Sequence, residues 1–201
     1  MSLSNSSWTP DPHLRERADA IWPTLQASNP HLFDGRLIQV AGVHRNGAGG
    51  ATIQGFPCDY RWYAVQMMGE RLDTSCRPLG VKGITYCGDR VLFARRASWT
   101  MCFPDAWELA PSGGVEPGDS PECAIATEFA EEVGGQLAGP ARAQAILYDD
   151  TAQTWEVILR LDVMTMDIAP PTNEYSEFKW CLPSEFPREL TPIARRITQQ
   201  L

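Results

Sequence analysis

Three glutamates crowd one short segment, Glu128, Glu131 and Glu132 in EFAEEVGG, and the glycine-rich run GGVEPGD (113–119) leads toward them. On a helix, Glu128 and Glu132 are one turn apart, a spacing at which like charges repel by a few tenths of a kcal/mol, roughly. A hard divalent cation would neutralise them. Mg²⁺ prefers oxygen ligands, keeps several waters and is usually shared with substrate phosphates. A glycine-rich approach can add a backbone carbonyl to the cation and turn N–H groups toward phosphate oxygens. The stretch therefore reads as a platform for a metal–phosphate complex. A solvated acidic face would explain EFAEEVG taken alone, so the spacing of the whole stretch must decide.

The elements around it must hold that platform. Ser120 suits a helix N-cap, Pro121 the first helical position and Glu122 the positive end of the dipole. Ile125, Phe129 and Val133 recur every four residues and define the buried stripe, with the three glutamates on an adjacent face. Gly134-Gly135 ends the helix. Ahead of it, GVKGITYC and RVLFARR flank Gly88-Asp89 as a hairpin, and Trp107–Leu109 is a short strand. Behind it, Ala143–Tyr148, Thr154–Val163 and Phe178–Leu182 read as strands and Leu190–Gln200 as a closing helix. The front of the chain reads as a helix (Asp11–Gln26), a hairpin (Arg36–Val43 with ATIQGF, around RNGAGGA) and a second helix (Asp59–Leu72). This order predicts a mixed sheet between helices.

The full stretch resembles the Nudix box, Gx5Ex7REUxEExGU, where U is a bulky aliphatic. Counted from Gly113, the pattern meets Asp119, Thr127, Glu128, Phe129, Ala130, Glu131, Glu132, Val133 and Gly134. WELAPSGGVEPGD is similar to the family's approach to the box, and EFKWCLPSEF to a later segment. The resemblance implies an α/β (α+β) fold, a Nudix-type α/β/α sandwich with a mixed β-sheet over 79–201. An N-terminal helix-and-hairpin extension over 1–78 is expected to pack on it without being an independent domain. The implied activity is metal-dependent hydrolysis of a nucleoside diphosphate linked to another moiety, with Mg²⁺ or Mn²⁺. By position, Glu128, Glu131 and Glu132 would bind metal, joined by the Gly113 carbonyl, and Glu131 and Glu132 would serve catalysis. Three positions depart from the pattern: Asp119 replaces a glutamate, Thr127 an arginine and Gly135 an aliphatic. Thr127 has no charge with which to steer a neighbouring glutamate. A catalytically weak or inactive nucleotide-binding module is thus the alternative.

Other residues are weighed in the same way. Glu174, in PPTNEYSEFKW, lies where several Nudix subfamilies place a catalytic base; Glu177 is the weaker candidate, and a solvated loop acid is the plain alternative. Arg95 and Arg96 end RVLFARR, and alternation sends them to opposite faces, so one of them is a candidate for the substrate phosphates. In DYRWY, Tyr60 could stack on a base and Arg61 contact phosphate, although packing within the front segment explains both. NPHLFDGRLIQV with DYRWY is weakly similar to a Nudix group that acts on UDP-sugars, which favours a nucleotide sugar. The aromatic residues at 60, 62 and 63 also leave a homodimer open.

The composition narrows the classes. The net charge is -8 and the pI about 4.9, with no Lys/Arg run, so nucleic acid is not an expected partner. Six cysteines form no CxxC pair and only three histidines occur, which argues against a zinc site and for reduced thiols. No apolar leader and no run of about 20 apolar residues is present, so a soluble, cytoplasmic protein without a membrane partner is expected.

Overall fold

The computed structural model describes residues 1–68, 72–170 and 174–201. The chain forms two compact units. The first is Met1–Leu79 with Gly114–Asp119 and Ala152–Trp155; the second is Gly80–Gly113, Ser120–Thr151 and Glu156–Leu201.

In the first unit, helix α1 (Pro12–Ser28) begins where Asp11 accepts from the His13 N–H at 3.0 Å, and Ala18, Trp22 and Leu25 form its buried face. Strands β2 (Arg36–Arg45) and β3 (Ala51–Asp59) pair antiparallel. Gly47 and Gly49 take positive φ in their connection, and Asn46 accepts from the N–H groups of Ala48 and Gly50. Strand β1 (Ser2–Leu3) adds to β3 in parallel, a pairing that two residues of sequence cannot announce. Helix α2 (Tyr60–Met67) is shorter than the sequence pattern predicts, and residues 69–71 of that prediction lie outside the described residues. Tyr60 meets Trp22 edge-on with ring centroids 6.4 Å apart, which couples α2 to α1.

The second unit is built on strands β4 (Leu79–Cys87), β5 (Arg90–Arg96), β6 (Trp107–Leu109), β7 (Ser112–Gly114), β8 (Arg142–Asp149), β9 (Thr154–Asp162) and β10 (Tyr175–Cys181). They lie in the order β10-β5-β4-β9-β8, with β6 against β5 and β7 against β4. Gly88, at φ +61°, turns β4 into β5 with antiparallel pairing. Trp155 N–H donates to the Pro78 carbonyl and Val163 N–H to that of Tyr86; the common direction makes β4 and β9 parallel and the sheet mixed. Helix α3 (Pro121–Glu128) and helix α4 (Pro192–Thr198) complete the layers. Ile193, Ala194 and Ile197 of α4 join Val91 and Phe93 in one core cluster. Leu92 and Ala94, which alternate with Val91 and Phe93, are also fully buried, so both faces of β5 are covered. This is the α/β/α arrangement within an α+β fold.

Two local expectations are corrected. The run at 112–114 is a strand rather than an open glycine loop, because it pairs with β4. Strand β10 starts at Tyr175, earlier than the predicted Phe178, because its first residues pair with Arg96 and Arg95 across a bulge. No disulfide joins any of the six cysteines among the described residues. No helix among the described residues is long and apolar enough to cross a membrane.

Candidate active site

The glutamate helix starts as its sequence dictates. Ser120 accepts from the Cys123 N–H at 3.1 Å, Pro121 opens the first turn, and Glu122 faces the positive end. After Glu128 the helix widens into a π turn, Phe129–Val133, closed by the Gly134 N–H to the Phe129 carbonyl at 2.9 Å. Such turns are uncommon and are often found at functional sites. Gly134 ends it at φ +69°. Ile125, Phe129 and Val133 are buried as predicted.

The three glutamates do not share one environment. Glu131 is exposed, Glu128 half-buried, and Glu132 only 5% exposed. Ser112 N–H of β7 donates to the Glu132 carboxylate at 3.1 Å. Burial pushes the Glu132 carboxyl well above its ordinary value; the charges of Glu128 and then Glu174 push it further, and the Ser112 bond only partly opposes them. Glu128 lies against the backbone of Gly113: a Cβ there would stand 1.8 Å from a Glu128 carboxylate oxygen. The glycine is therefore required by close approach. Glu174 is exposed; its carbonyl accepts from the Ala97 N–H at 2.8 Å. The predicted loop residues just before it, 171–173, lie outside the described residues.

A buried ionic group escaped the sequence reading. Glu108 is bound by Lys82 on one carboxylate oxygen and by Arg96 on the other. Burial alone would raise the Glu108 carboxyl, but the two cations outweigh it and hold it below its usual value. The available signal was a lysine inside the apolar run GVKGIT and a glutamate between Trp107 and Leu109. Each is a charge that an apolar strand accepts only when paired.

Arg96, one of the two phosphate candidates, is engaged with Glu108 and with the Cys102 carbonyl. Arg95 donates to the Asp105 carbonyl at 3.1 Å. In the first unit, Arg61 meets Asp59, Asp34 and Asp19 and stacks on Trp62, while Tyr60 packs on Trp22 and Tyr63. The contacts of Arg61 and Tyr60 are those of the packing alternative.

A NUDIX domain model matches residues 77–201, more than half of the chain. The chain belongs to the Nudix family. Among curated proteins none matches the sequence. Solved structures share the Nudix fold. The DR0079 protein of Deinococcus radiodurans is 17% identical with a TM-score of 0.57, covering 82% of this chain and 98% of its own. A bifunctional NMN adenylyltransferase/ADP ribose pyrophosphatase from Francisella tularensis, complexed with AMP and a Mn ion, is 17% identical with a TM-score of 0.54. That match covers 69% of this chain and 45% of the other.

The Nudix departures are now placed. Asp119 and Thr127 are both exposed. Gly135 stands where an aliphatic is usual, and a Cβ there would come within 3.2 Å of the Phe129 ring. As they stand, no three Asp, Glu, His or Cys side chains are gathered for a metal among the described residues. The donor set nevertheless fits a hard cation. Glu132 is buried and is raised further by the charges of Glu128 and Glu174, and glycine at 113 leaves room for the Glu128 carboxylate beside the backbone.

Proposed function

We propose that this Nudix hydrolase cleaves the diphosphate of a nucleoside diphosphate linked to a second moiety, with a nucleotide sugar as the first substrate class to test. The products would be a nucleoside monophosphate and a phosphorylated remainder. The observation that carries this reading is the buried Glu132, which accepts from the Ser112 N–H at 3.1 Å and is lifted by burial and by the charges of Glu128 and Glu174. A site that concentrates negative charge in this way is built for a cation. Mg²⁺ or Mn²⁺ would be held by Glu128 and Glu132, with Glu131 and the Gly113 carbonyl completing the set. A bound divalent ion supplies charge neutralisation of the diphosphate and a more acidic water.

The chain's own residues carry the rest. Ser112 fixes one oxygen of Glu132, so the carboxylate is presented in one orientation. Glu174 is the proposed base: it is exposed, and its charge is felt at Glu132. A carboxylate there can take the proton of the attacking water. Arg95 and Arg96 stand at the end of β5, on the strand beside β10, which begins just after Glu174. Arg95 is the better placed to turn to a phosphate, since Arg96 already holds Glu108. The AMP and Mn ion of the Francisella protein support a nucleotide and a divalent metal. The weak likeness of the front segment to a UDP-sugar group supports the sugar.

The test is a panel of nucleotide sugars, dinucleotides, coenzyme A and nucleoside triphosphates with Mg²⁺ or Mn²⁺, scored by product mass, beside Glu132→Gln. Turnover of one class that the variant loses is the expected result. Ligand binding without turnover under either metal would replace this reading with the nucleotide-binding module, and would make Asp119 and Thr127 its cause.

A further inference from the structure

A buried tyrosine connects the parts of this site. Tyr175 is 3% exposed, and its hydroxyl lies 3.3 Å from the Ser112 hydroxyl. The backbone N–H of the same Ser112 donates to Glu132, and the next residue is Gly113, against which Glu128 rests. On its other side Tyr175 follows Glu174 in the chain. The Glu174 carbonyl is tied to Ala97, and Tyr175 pairs with Arg96 in the sheet. One side chain thus bridges the start of β10 to β7, and β7 touches both inner glutamates.

Packing alone would be served as well by phenylalanine. A buried hydroxyl costs free energy unless it is hydrogen-bonded, and here the bond is made to the one serine whose backbone orients Glu132. We propose that Tyr175 is a positioning residue: through Ser112 it holds β7 at the distance at which Glu128 and Glu132 share one cation, and it keeps Glu174 in register with them. The inference rests on the reading that these glutamates hold a divalent ion. It assigns Tyr175 no contact with substrate or metal. Partners that orient metal ligands from behind typically contribute about 10–100-fold to metal affinity or activity.

The test uses the full chain and Mn²⁺ binding followed by electron paramagnetic resonance, with kcat and KM measured beside it. Tyr175→Phe and Ser112→Ala are each expected to weaken Mn²⁺ binding by about tenfold, to lower kcat, and to leave KM near the wild-type value. The double variant is expected to be no worse than either single one, because both break the same link. Unchanged Mn²⁺ binding in Tyr175→Phe, or losses that add in the double variant, would overturn the proposal and leave Tyr175 as core packing. Glu132→Gln separates the two levels. If wild type binds Mn²⁺ better than Glu132→Gln while Tyr175→Phe matches wild type, only the positioning role fails. If wild type and Glu132→Gln bind alike, the metal reading fails and takes this one with it. Should Tyr175→Phe lose its fold by circular dichroism, Ser112→Ala keeps the backbone bond and decides the same question.

Discussion

Glu132 sets function against stability at the residue scale. Its carboxyl is raised in the folded chain, so the folded state binds its proton more tightly than the unfolded state does. For the metal-free protein, this group's contribution is fully present at pH below the ordinary carboxylate value and is lost as pH rises through the higher folded value. Glu132→Gln removes that penalty. It is expected to raise the Tm of the metal-free protein at neutral pH, by about 2–4 °C for each kcal/mol relieved, while hydrolysis falls about a hundredfold or more. Calorimetry and the turnover assay read the two effects separately, and a variant that loses both stability and activity would contradict the account. Glu108 has the opposite sign. Its folded carboxyl is depressed by Lys82 and Arg96, so its contribution is present above the ordinary value of 4.5 and is lost as pH falls through the folded value. Glu108→Gln leaves the buried Lys82 and the half-buried Arg96 without their anion and should cost about 3–5 kcal/mol at neutral pH. Urea unfolding measures that cost, and the wild type's acid sensitivity below pH 4.5 should be blunted in the variant.

At the scale of elements, the glycine positions are where geometry decides. Gly113→Ala drives a methyl into Glu128, whose carboxylate carbon and Cγ also lie within 2.8 Å of the new atom, so the whole side chain must leave. A folded protein with weakened Mn²⁺ binding is expected, checked by circular dichroism and a metal titration. Gly134→Ala places a side chain at φ +69° and 2.5 Å from the Ala169 Cβ. The left-handed backbone alone costs roughly 1–2 kcal/mol, so its main effect should be a lower unfolding midpoint.

These elements also mark what the sequence discloses. The helix cap at Ser120, the buried stripe of Ile125, Phe129 and Val133, and the hairpin at Gly88 are written in local spacing, and they form as that spacing predicts. The π turn is not written there, since EFAEEV has the same residues in either winding. Nor is the difference between an exposed Glu131 and a buried Glu132, which the helical wheel placed on one face. Strand β7 looked like a loop because two glycines have little strand propensity of their own; pairing with β4 overrides it. Lys82, Glu108 and Arg96 belong to three strands, so their meeting depends on register across the sheet, and a one-dimensional reading does not contain it. Tyr175 and Ser112 were passed over for the same reason.

For the whole molecule, the match to the family begins at residue 77, yet the first compact unit does not end there. It also takes in Gly114–Asp119 and Ala152–Trp155. Val115 N–H donates to the Leu79 carbonyl at 3.0 Å, and the Tyr63 hydroxyl donates to the Ala152 carbonyl at 2.8 Å. A chain lacking residues 1–78 would strip Ala152–Trp155 of its Tyr63 and Pro78 partners. It is expected to be poorly soluble or to lose its sharp thermal transition, and light scattering with calorimetry would show it. A truncated chain as stable as the full one would mean that the front segment is dispensable for folding. Light scattering on the full chain would also test the homodimer.

The same discontinuity imposes a timetable. Chains generally fold domain by domain from the N-terminus as they are synthesised. Here the leading 79 residues emerge first, but two pieces of their own unit arrive only when residues 119 and then 155 have left the ribosome. Until then Tyr63 of α2 waits without its Ala152 partner, so a nascent chain halted between residues 80 and 150 should be the form that chaperones hold and proteases find.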